Sequence, residues 1–158
     1  MSGIVGDFGS KSGHIGSKPY AFLYRTSNQN VSSGSMTKIE FTHMIDGSAG
    51  SVDDGWVVSQ SGRYSVTLVV DTHSSSNNMS AHYCHVKLGG TTKFGGYSHS
   101  NTSARHEQAL VHGILSAEAG QYVFGYCEIT GTSPMIYVDA GSTYGHQSTC
   151  MVIQFLGK

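Results

Sequence analysis

The stretch Gly62-Arg63-Tyr64-Ser65-Val66-Thr67-Leu68-Val69-Val70 decides the fold of this chain. Aromatic or aliphatic residues occupy every second position from Tyr64, and Ser65 and Thr67 stand between them. Side chains of a β-strand point alternately to opposite faces, so the pattern predicts a strand with one buried face. The preceding Ser61-Gly62 pair is a turn signal. The residues predicted to face the core are Tyr64, Val66, Leu68 and Val70.

Similar apolar or alternating runs recur along the chain and are separated by Gly-, Ser- and Asn-rich turns such as Gly89-Gly90. We expect residues 72–78 to form a polar hairpin loop. Eight to ten short strands at this spacing indicate an all-β sandwich or barrel. The other predicted strands are 20–24, 37–42, 56–58, 81–88, 92–97, 109–115, 121–129, 135–138 and 149–156.

The segment from Arg105 to Glu118 has helix-compatible propensities, but Gly113 lies in its middle. A glycine costs a helix interior about 1 kcal/mol relative to alanine. Because the neighbouring segments are strands, we predict a strand here as well. In the next segment, Tyr122, Phe124 and Tyr126 are predicted to share one face.

Composition narrows the function classes. Only 12% of the 158 residues are charged and the net charge is -1, so no basic field supports nucleic-acid binding. We expect no membrane insertion and no signal peptide, since no apolar run has the required length. Cys84, Cys127 and Cys150 lie in strand-like runs, which favours buried free thiols and folding in a reducing cytoplasm.

The N-terminal segment nearly repeats itself: Ser2-Gly3-Ile4-Val5-Gly6 is followed by Ser12-Gly13-His14-Ile15-Gly16. It is too rich in glycine for a helix and too short for a core. We therefore divide the chain into an extended anchoring arm, residues 1–18, and a folded head, residues 19–158. The residues expected to dock on a partner are Ile4, Val5, Phe8 and Ile15.

No motif indicates catalysis, since neither Gly-x-Ser-x-Gly nor His-Glu-x-x-His occurs. The chain is predicted not to be an enzyme, and no cofactor is expected. In His82-Tyr83-Cys84-His85, strand geometry sends His85 to the opposite face from His82 and Cys84. We therefore interpret this cluster as surface histidines with a core thiol and predict no metal site. Two alternatives remain open. A metal ion could lie on the symmetry axis of a trimer, where His43, His106 or His112 would bind it. The loop with Asp46, Asp53 and Asp54 could bind calcium, but a solvated turn is favoured there.

Three polar loops mix Tyr, His, Ser and Asn, which make adaptable contact surfaces. They are either solvated tips or contacts for a receptor or host surface glycan. The candidate contact residues are Asn77, Asn78, Tyr97, His99, Asn101, Tyr144 and His146.

Residues 20–156 resemble the jelly-roll domain of complement globular heads and tumour-necrosis-factor-like ligands. The resemblance is carried by Gly62-Arg63-Tyr64-Ser65-Val66, by Ala119-Gly120-Gln121-Tyr122-Val123 after an apolar strand, and by the closing strand from Ser148 to Leu156. It implies that the fold class is an all-β, antiparallel jelly-roll sandwich that follows the extended N-terminal arm. It also implies a homotrimer packed around a threefold axis through one apolar sheet face.

The N-terminal repeat resembles the N-termini of small virion proteins of tailed phages, particularly marine ones. Together the two resemblances imply a phage virion structural protein: a capsid decoration, head-fibre, tail-fibre or spike protein, assembled in the host cytoplasm. Its arm would dock on a capsid or tail protein and its trimeric head would project outward. One alternative is a receptor-binding tail-fibre tip for host attachment, and another is a soluble trimeric ligand of the complement or necrosis-factor type.

Overall fold

The structure is a computed structural model, and it describes residues 20–45, 55–76, 78–98, 106–138 and 149–158. Within these ranges it is built from twelve antiparallel strands and contains no helix. Accordingly, these residues contain no helix that is long and apolar enough to cross a membrane. The strands are β1 (Tyr20–Tyr24), β2 (Gln29–Asn30), β3 (Thr37–Lys38), β4 (His43–Ile45), β5 (Trp56–Val57), β6 (Gly62–His73), β7 (Ala81–Leu88), β8 (Thr91–Ser98), β9 (His106–Ala117), β10 (Tyr122–Thr130), β11 (Met135–Ile136) and β12 (Cys150–Gly157).

Two sheets pack face to face. In sheet A, β6 pairs with β9 on one side and with β12 and β11 on the other; β12 continues to β1 and β4, and β2 pairs with β11. Sheet B runs from β8 through β7 to β10, which then pairs with β3 and β5. Consecutive strands lie in alternate sheets from β2 to β7 and again from β8 to β11. This alternation makes the sandwich a jelly roll and confirms the predicted all-β jelly-roll sandwich.

The core lies between the sheets and is filled by the predicted alternation. Tyr64, Val66, Leu68 and Val70 are fully buried. The Tyr64 ring packs edge-on against Trp56 at 5.3 Å and against Phe155 at 5.2 Å between ring centroids. Such edge-to-face pairs are the favoured arrangement for buried aromatic rings.

Close backbone approach shuts the sandwich where β8, at the edge of sheet B, meets β9, at the edge of sheet A. A Cβ atom at Gly96 would lie 2.7 Å from the Leu110 carbonyl oxygen, and one at Gly113 would lie 2.8 Å from the ring of Phe94. Both positions need a residue without a side chain. Gly113, the residue that argued against a helix in this segment, lies within strand β9 and against the Phe94 ring.

Two expectations about element boundaries were wrong. Strand β6 continues to His73, so the loop predicted to begin at residue 72 starts later. Only Thr37–Lys38 of the predicted strand 37–42 pairs in a ladder, although Ile39 and Phe41 are buried as the alternation required. Strand β4 was not predicted.

Two of the three cysteine side chains are in the core. Cys84 and Cys127 are fully buried, face each other across β7 and β10, and are free thiols, as predicted. Burial raises the pKa of Cys84 to about 11 and that of Cys127 to about 12. Both are therefore protonated and unreactive at neutral pH. Cys150 is only half-buried, and its side chain lies on the outer face of sheet A, away from the core.

Candidate functional site

Strand β9 presents large apolar side chains to solvent. Its odd-numbered residues point into the core and its even-numbered residues point outward. Leu110 is 61% exposed and Ile114 is 53% exposed, although both belong to residue types that are usually buried. Polar residues would be expected at outward positions of an antiparallel sheet that faces water.

The register of sheet A extends this surface across four strands, β1, β12, β6 and β9. Outward-facing residues of these strands stand opposite one another in three rows. We call the twelve side chains the A face. They are Tyr24, Cys150, Val69 and Leu110 in the first row, Phe22, Val152, Thr67 and His112 in the second, and Tyr20, Gln154, Ser65 and Ile114 in the third.

No Asp, Glu, Lys or Arg occurs among the twelve residues of the A face. Four strands 4.8 Å apart and five residues of 3.3 Å each give the surface a projected area of about 300 Å². The centres of protein interfaces are depleted in charged residues and enriched in aromatic ones. The A face lacks charge, and eight of its twelve side chains are aliphatic, aromatic or cysteine.

One polar pair at the centre of the A face is already hydrogen-bonded. His112 Nδ1 lies 2.8 Å from Thr67 Oγ1 across β9 and β6. Burial raises the pKa of the Cys150 thiol, which keeps it neutral. A partner that covers this surface therefore finds the Thr67 hydroxyl and one His112 nitrogen already satisfied.

The outer face of sheet B is different in character. Its rings are interspersed with charges: Lys87 Nζ lies 4.2 Å from the centroid of Tyr126, and Lys38 Nζ lies 5.8 Å from that of Phe124. Tyr122, Phe124 and Tyr126 share this face, as predicted. The charged groups suit a solvated surface better than an interface core.

Most of the candidate residues named from sequence lie outside the described residues. This holds for the docking residues Ile4, Val5, Phe8 and Ile15, and for the acidic loop residues Asp46, Asp53 and Asp54. It also holds for the contact residues Asn77, His99, Asn101, Tyr144 and His146. Their proposed roles stay predictions.

The structure describes two of the candidate contact residues. Tyr97 lies within strand β8 rather than in a loop, is 51% exposed, and stacks on Tyr83 with ring centroids 4.5 Å apart. The Asn78 side chain accepts hydrogen bonds from the Ser74 hydroxyl and the Thr132 amide, so it braces a turn.

The histidine cluster on β7 divides as strand geometry requires, but His82 is not on the surface. His82 is fully buried beside Thr72, whose Oγ1 lies 3.3 Å from its Nδ1, and burial lowers its pKa to about 4. His85 points outward with Tyr83. Among the described residues, no three His, Cys, Asp or Glu side chains converge in a way that suits a metal ion.

His106, one of the histidines considered for a metal site, instead contacts a residue that the sequence did not single out. It opens β9, and its Nε2 contacts the carboxylate of the nearly buried Asp71 on β6. The Asp71 backbone amide donates a hydrogen bond to Oγ1 of Thr149, the residue before β12, at 3.0 Å. This pair fixes the end of the β6–β9 ladder.

Comparison with known proteins agrees with this architecture. No protein-family model and no curated protein matches the sequence. Among solved structures, the chain superposes on murine APRIL at pH 5.0 with a TM-score of 0.63 and 13% identity, over 88% of this chain and 99% of that one. It also superposes on Eiger TNF from S. frugiperda with a TM-score of 0.63 and 10% identity, over 89% and 94% of the two chains.

The fold is a TNF-like jelly roll. At this level of identity the likeness shows the fold alone, so the function has to be argued from surfaces. In this TNF-like jelly roll the most distinctive surface is the A face. Alternation in the sequence identifies its outward residues strand by strand, but only the register brings Phe22, Val152 and Thr67 into one row.

Proposed function

We propose that residues 19–158 form a non-enzymatic, self-associating head that assembles as a homotrimer through the A face. The observation that supports this most strongly is the absence of charge from its twelve residues, together with the exposure of Leu110 and Ile114. A second copy of the chain is the partner whose apolar surface matches.

The position of the exposed side chains favours a ring over a twofold pair. Leu110 and Ile114 stand on β9, the edge strand of sheet A, whereas Phe22 and Val152 lie deeper in the sheet. If the edge of one copy packs on the middle of the next, the contact is head-to-tail. Such contacts form a ring when the rotation between copies closes and a filament when it does not. The resemblance to trimeric jelly rolls implies a closed ring of three.

We further propose that the trimer serves as a phage virion structural protein, with the N-terminal arm docking on a capsid or tail protein. The support is the duplicated Ser-Gly-x-(Ile/Val)-Gly segment and its resemblance to virion N-termini. A trimer presents three arms, so weak individual contacts combine through effective concentration. Localisation on the virion belongs to this proposal.

Two measurements test the proposal separately. Native mass spectrometry of the full chain should give three times the 16.8 kDa of one chain; a monomer at micromolar concentration would contradict the trimer. Deletion of residues 2–17 should leave the protein trimeric and should abolish its incorporation into phage particles. A truncated head that still incorporates would overturn the anchoring role while leaving trimerisation standing.

A host-receptor role is the second candidate function, and the Tyr97–Tyr83 stack favours it. The stack holds a half-exposed aromatic ring at a fixed orientation, an arrangement that suits contact with the apolar side of a sugar ring. Tyr97→Ala should then reduce binding of the head to host cells, while Tyr122→Ala, on the same outer face, should not. If the two variants bind host cells equally well, the host-receptor role is excluded. The soluble-ligand alternative is supported only by the fold.

A further inference from the structure

A cleft of about 710 Å³ opens at one end of the sandwich. It lies where β6 begins, β9 ends and β7 turns into β8, next to the last residue, Lys158. Arg63 and Ser116 face each other there across β6 and β9, one row beyond Ser65 and Ile114 of the A face. Volumes of 300–1,000 Å³ are typical of sites for small molecules.

Positive charge is concentrated in this cleft. Arg63, Lys93 and Lys158 line it, and they are three of the six lysines and arginines that the structure describes. Glu118 is the only acidic residue described along its wall. No ion pair or hydrogen bond joins the three cationic side chains to another described residue.

The remaining described cations have other positions and other contacts. Arg25 donates to the carbonyl oxygens of Ser27 and Asn28, and Lys38 and Lys87 lie over aromatic rings on sheet B. The lining of the cleft therefore includes three cationic side chains and one acidic side chain. Like charges held near one another raise the local potential, which attracts an anion.

Neutral donors and an apolar wall complete the lining. The Gln121 Oε1 accepts a hydrogen bond from the Glu118 amide at 2.8 Å, so the side-chain NH₂ group remains as a donor. The Ser61 Oγ accepts from the Ala119 amide at 3.0 Å, which leaves its hydroxyl hydrogen. The nearly buried Leu88 supplies apolar surface.

We propose that this cleft binds an acidic saccharide, a sugar that carries a carboxylate or sulfate group. The anionic group is held by Arg63, Lys93 and Lys158, and sugar hydroxyls accept from Gln121 and Ser61. A long polyanion is less suited to the site, because the chain as a whole has a net charge of -1 and offers no extended basic track. The proposal does not rest on Tyr97, and the cleft borders the A face at Arg63 and Ser116.

Calorimetric titration of the full chain at low salt tests the ligand class. The probes are 3′-sialyllactose, galactose 6-sulfate, lactose and inorganic sulfate. Binding of either acidic saccharide, with lactose and inorganic sulfate clearly weaker, supports the proposal and shows which anion is preferred. Inorganic sulfate that binds as well as the saccharides would reduce the cleft to an ion site and overturn it. Binding of lactose alone, or of no probe, would also overturn it.

Variants test the location. Lys93→Gln and Lys158→Gln should each weaken saccharide binding by about tenfold, the loss expected for one hydrogen bond to a charged group. Both side chains are exposed, so folding should be unaffected. Lys38→Gln is the matched control, since it removes the same charge on sheet B and should leave binding within twofold. Equal weakening by the control would place the site elsewhere.

Discussion

His112 on β9 and Thr67 on β6 are hydrogen-bonded to each other across the ladder, with Nδ1 and Oγ1 2.8 Å apart, at the centre of the charge-free A face. The exposed Leu110 and Ile114 stand on either side of His112 along the same strand. The bond satisfies Nδ1 and the Thr67 hydroxyl, so a surface that covers the pair has to supply a partner only for His112 Nε2. This internal bond lowers the polar cost of burying the A face.

The first prediction concerns assembly. Ile114→Glu places a carboxylate in the A face and should weaken self-association by about a hundredfold or more, because a buried unpaired charge is strongly unfavourable. Analytical ultracentrifugation should show the variant as a monomer where the wild-type chain is a trimer. Tyr122→Glu, at a 39% exposed position on the outer face of sheet B, is the control and should remain trimeric. If both variants keep the wild-type mass, association occurs through another surface.

The second prediction uses Cys150 as a reporter of the same surface. Its half-buried thiol lies in the first row of the A face, between Tyr24 and Val69. Maleimide should label it slowly in the assembled protein and several-fold faster in the Ile114→Glu monomer. Cys84 and Cys127 are internal controls, since both are fully buried and should stay unlabelled in either folded form. Equal labelling of Cys150 in the two forms would show that the A face is open in the assembly.

Much of the fold was predictable because local alternation and burial coincide. Strand β7 occupies the predicted residues 81–88, and β6 buries the predicted side chains from Tyr64 to Val70. In such segments a period of two is sufficient to fix both the strand and its inward face. The same alternation marks Leu110 and Ile114 as outward residues, but it does not reveal their neighbours.

The errors in the strand boundaries arose where hydrogen bonds come from partners that are distant in the sequence. Residues 39–42 alternate as a strand should, yet the Gln29 side chain occupies part of the ladder: its Nε2 donates to the Lys38 carbonyl at 2.8 Å and its Oε1 accepts from the Glu40 amide at 3.0 Å. Thr72 continues β6 because it pairs with Glu107 on β9 and with Ile136 on β11. Its hydroxyl also donates to the Glu107 carbonyl at 2.9 Å. These partners are distant in sequence, so local patterns do not contain them.

The third prediction tests the seam between the sheets. Gly113→Ala should lower the free energy of unfolding by about 1–3 kcal/mol, the usual cost of overpacking, because the new Cβ would lie 2.8 Å from the Phe94 ring. Gly90→Ala is the matched control: it lies in the β7–β8 turn with no atom within 4 Å of the added carbon. Urea denaturation at a fixed protein concentration measures both variants. If the two variants are equally stable, the Phe94 ring moves aside without lowering the free energy of unfolding.

The last prediction concerns acid stability and follows from His82. Burial lowers its pKa from 6.5 to about 4, and its Nε2 has no hydrogen-bond partner among the described residues. Above pH 6.5 the ring is neutral in both the folded and unfolded chain. As the pH falls from 6.5 to 4, the unfolded chain takes up a proton that the folded chain does not, so the free energy of unfolding should decrease by about 3 kcal/mol over that window.

His82→Leu removes the titrating group while keeping an apolar side chain in the core. The variant should lose about 3 kcal/mol less than the wild-type chain between pH 7 and pH 4, as measured by urea denaturation at each pH. His43→Gln is the comparison variant, because it removes a histidine at an exposed position outside the core. If wild type and His82→Leu become unstable in parallel, the acid sensitivity comes from other groups, and the buried imidazole must be accepting its proton within the folded core.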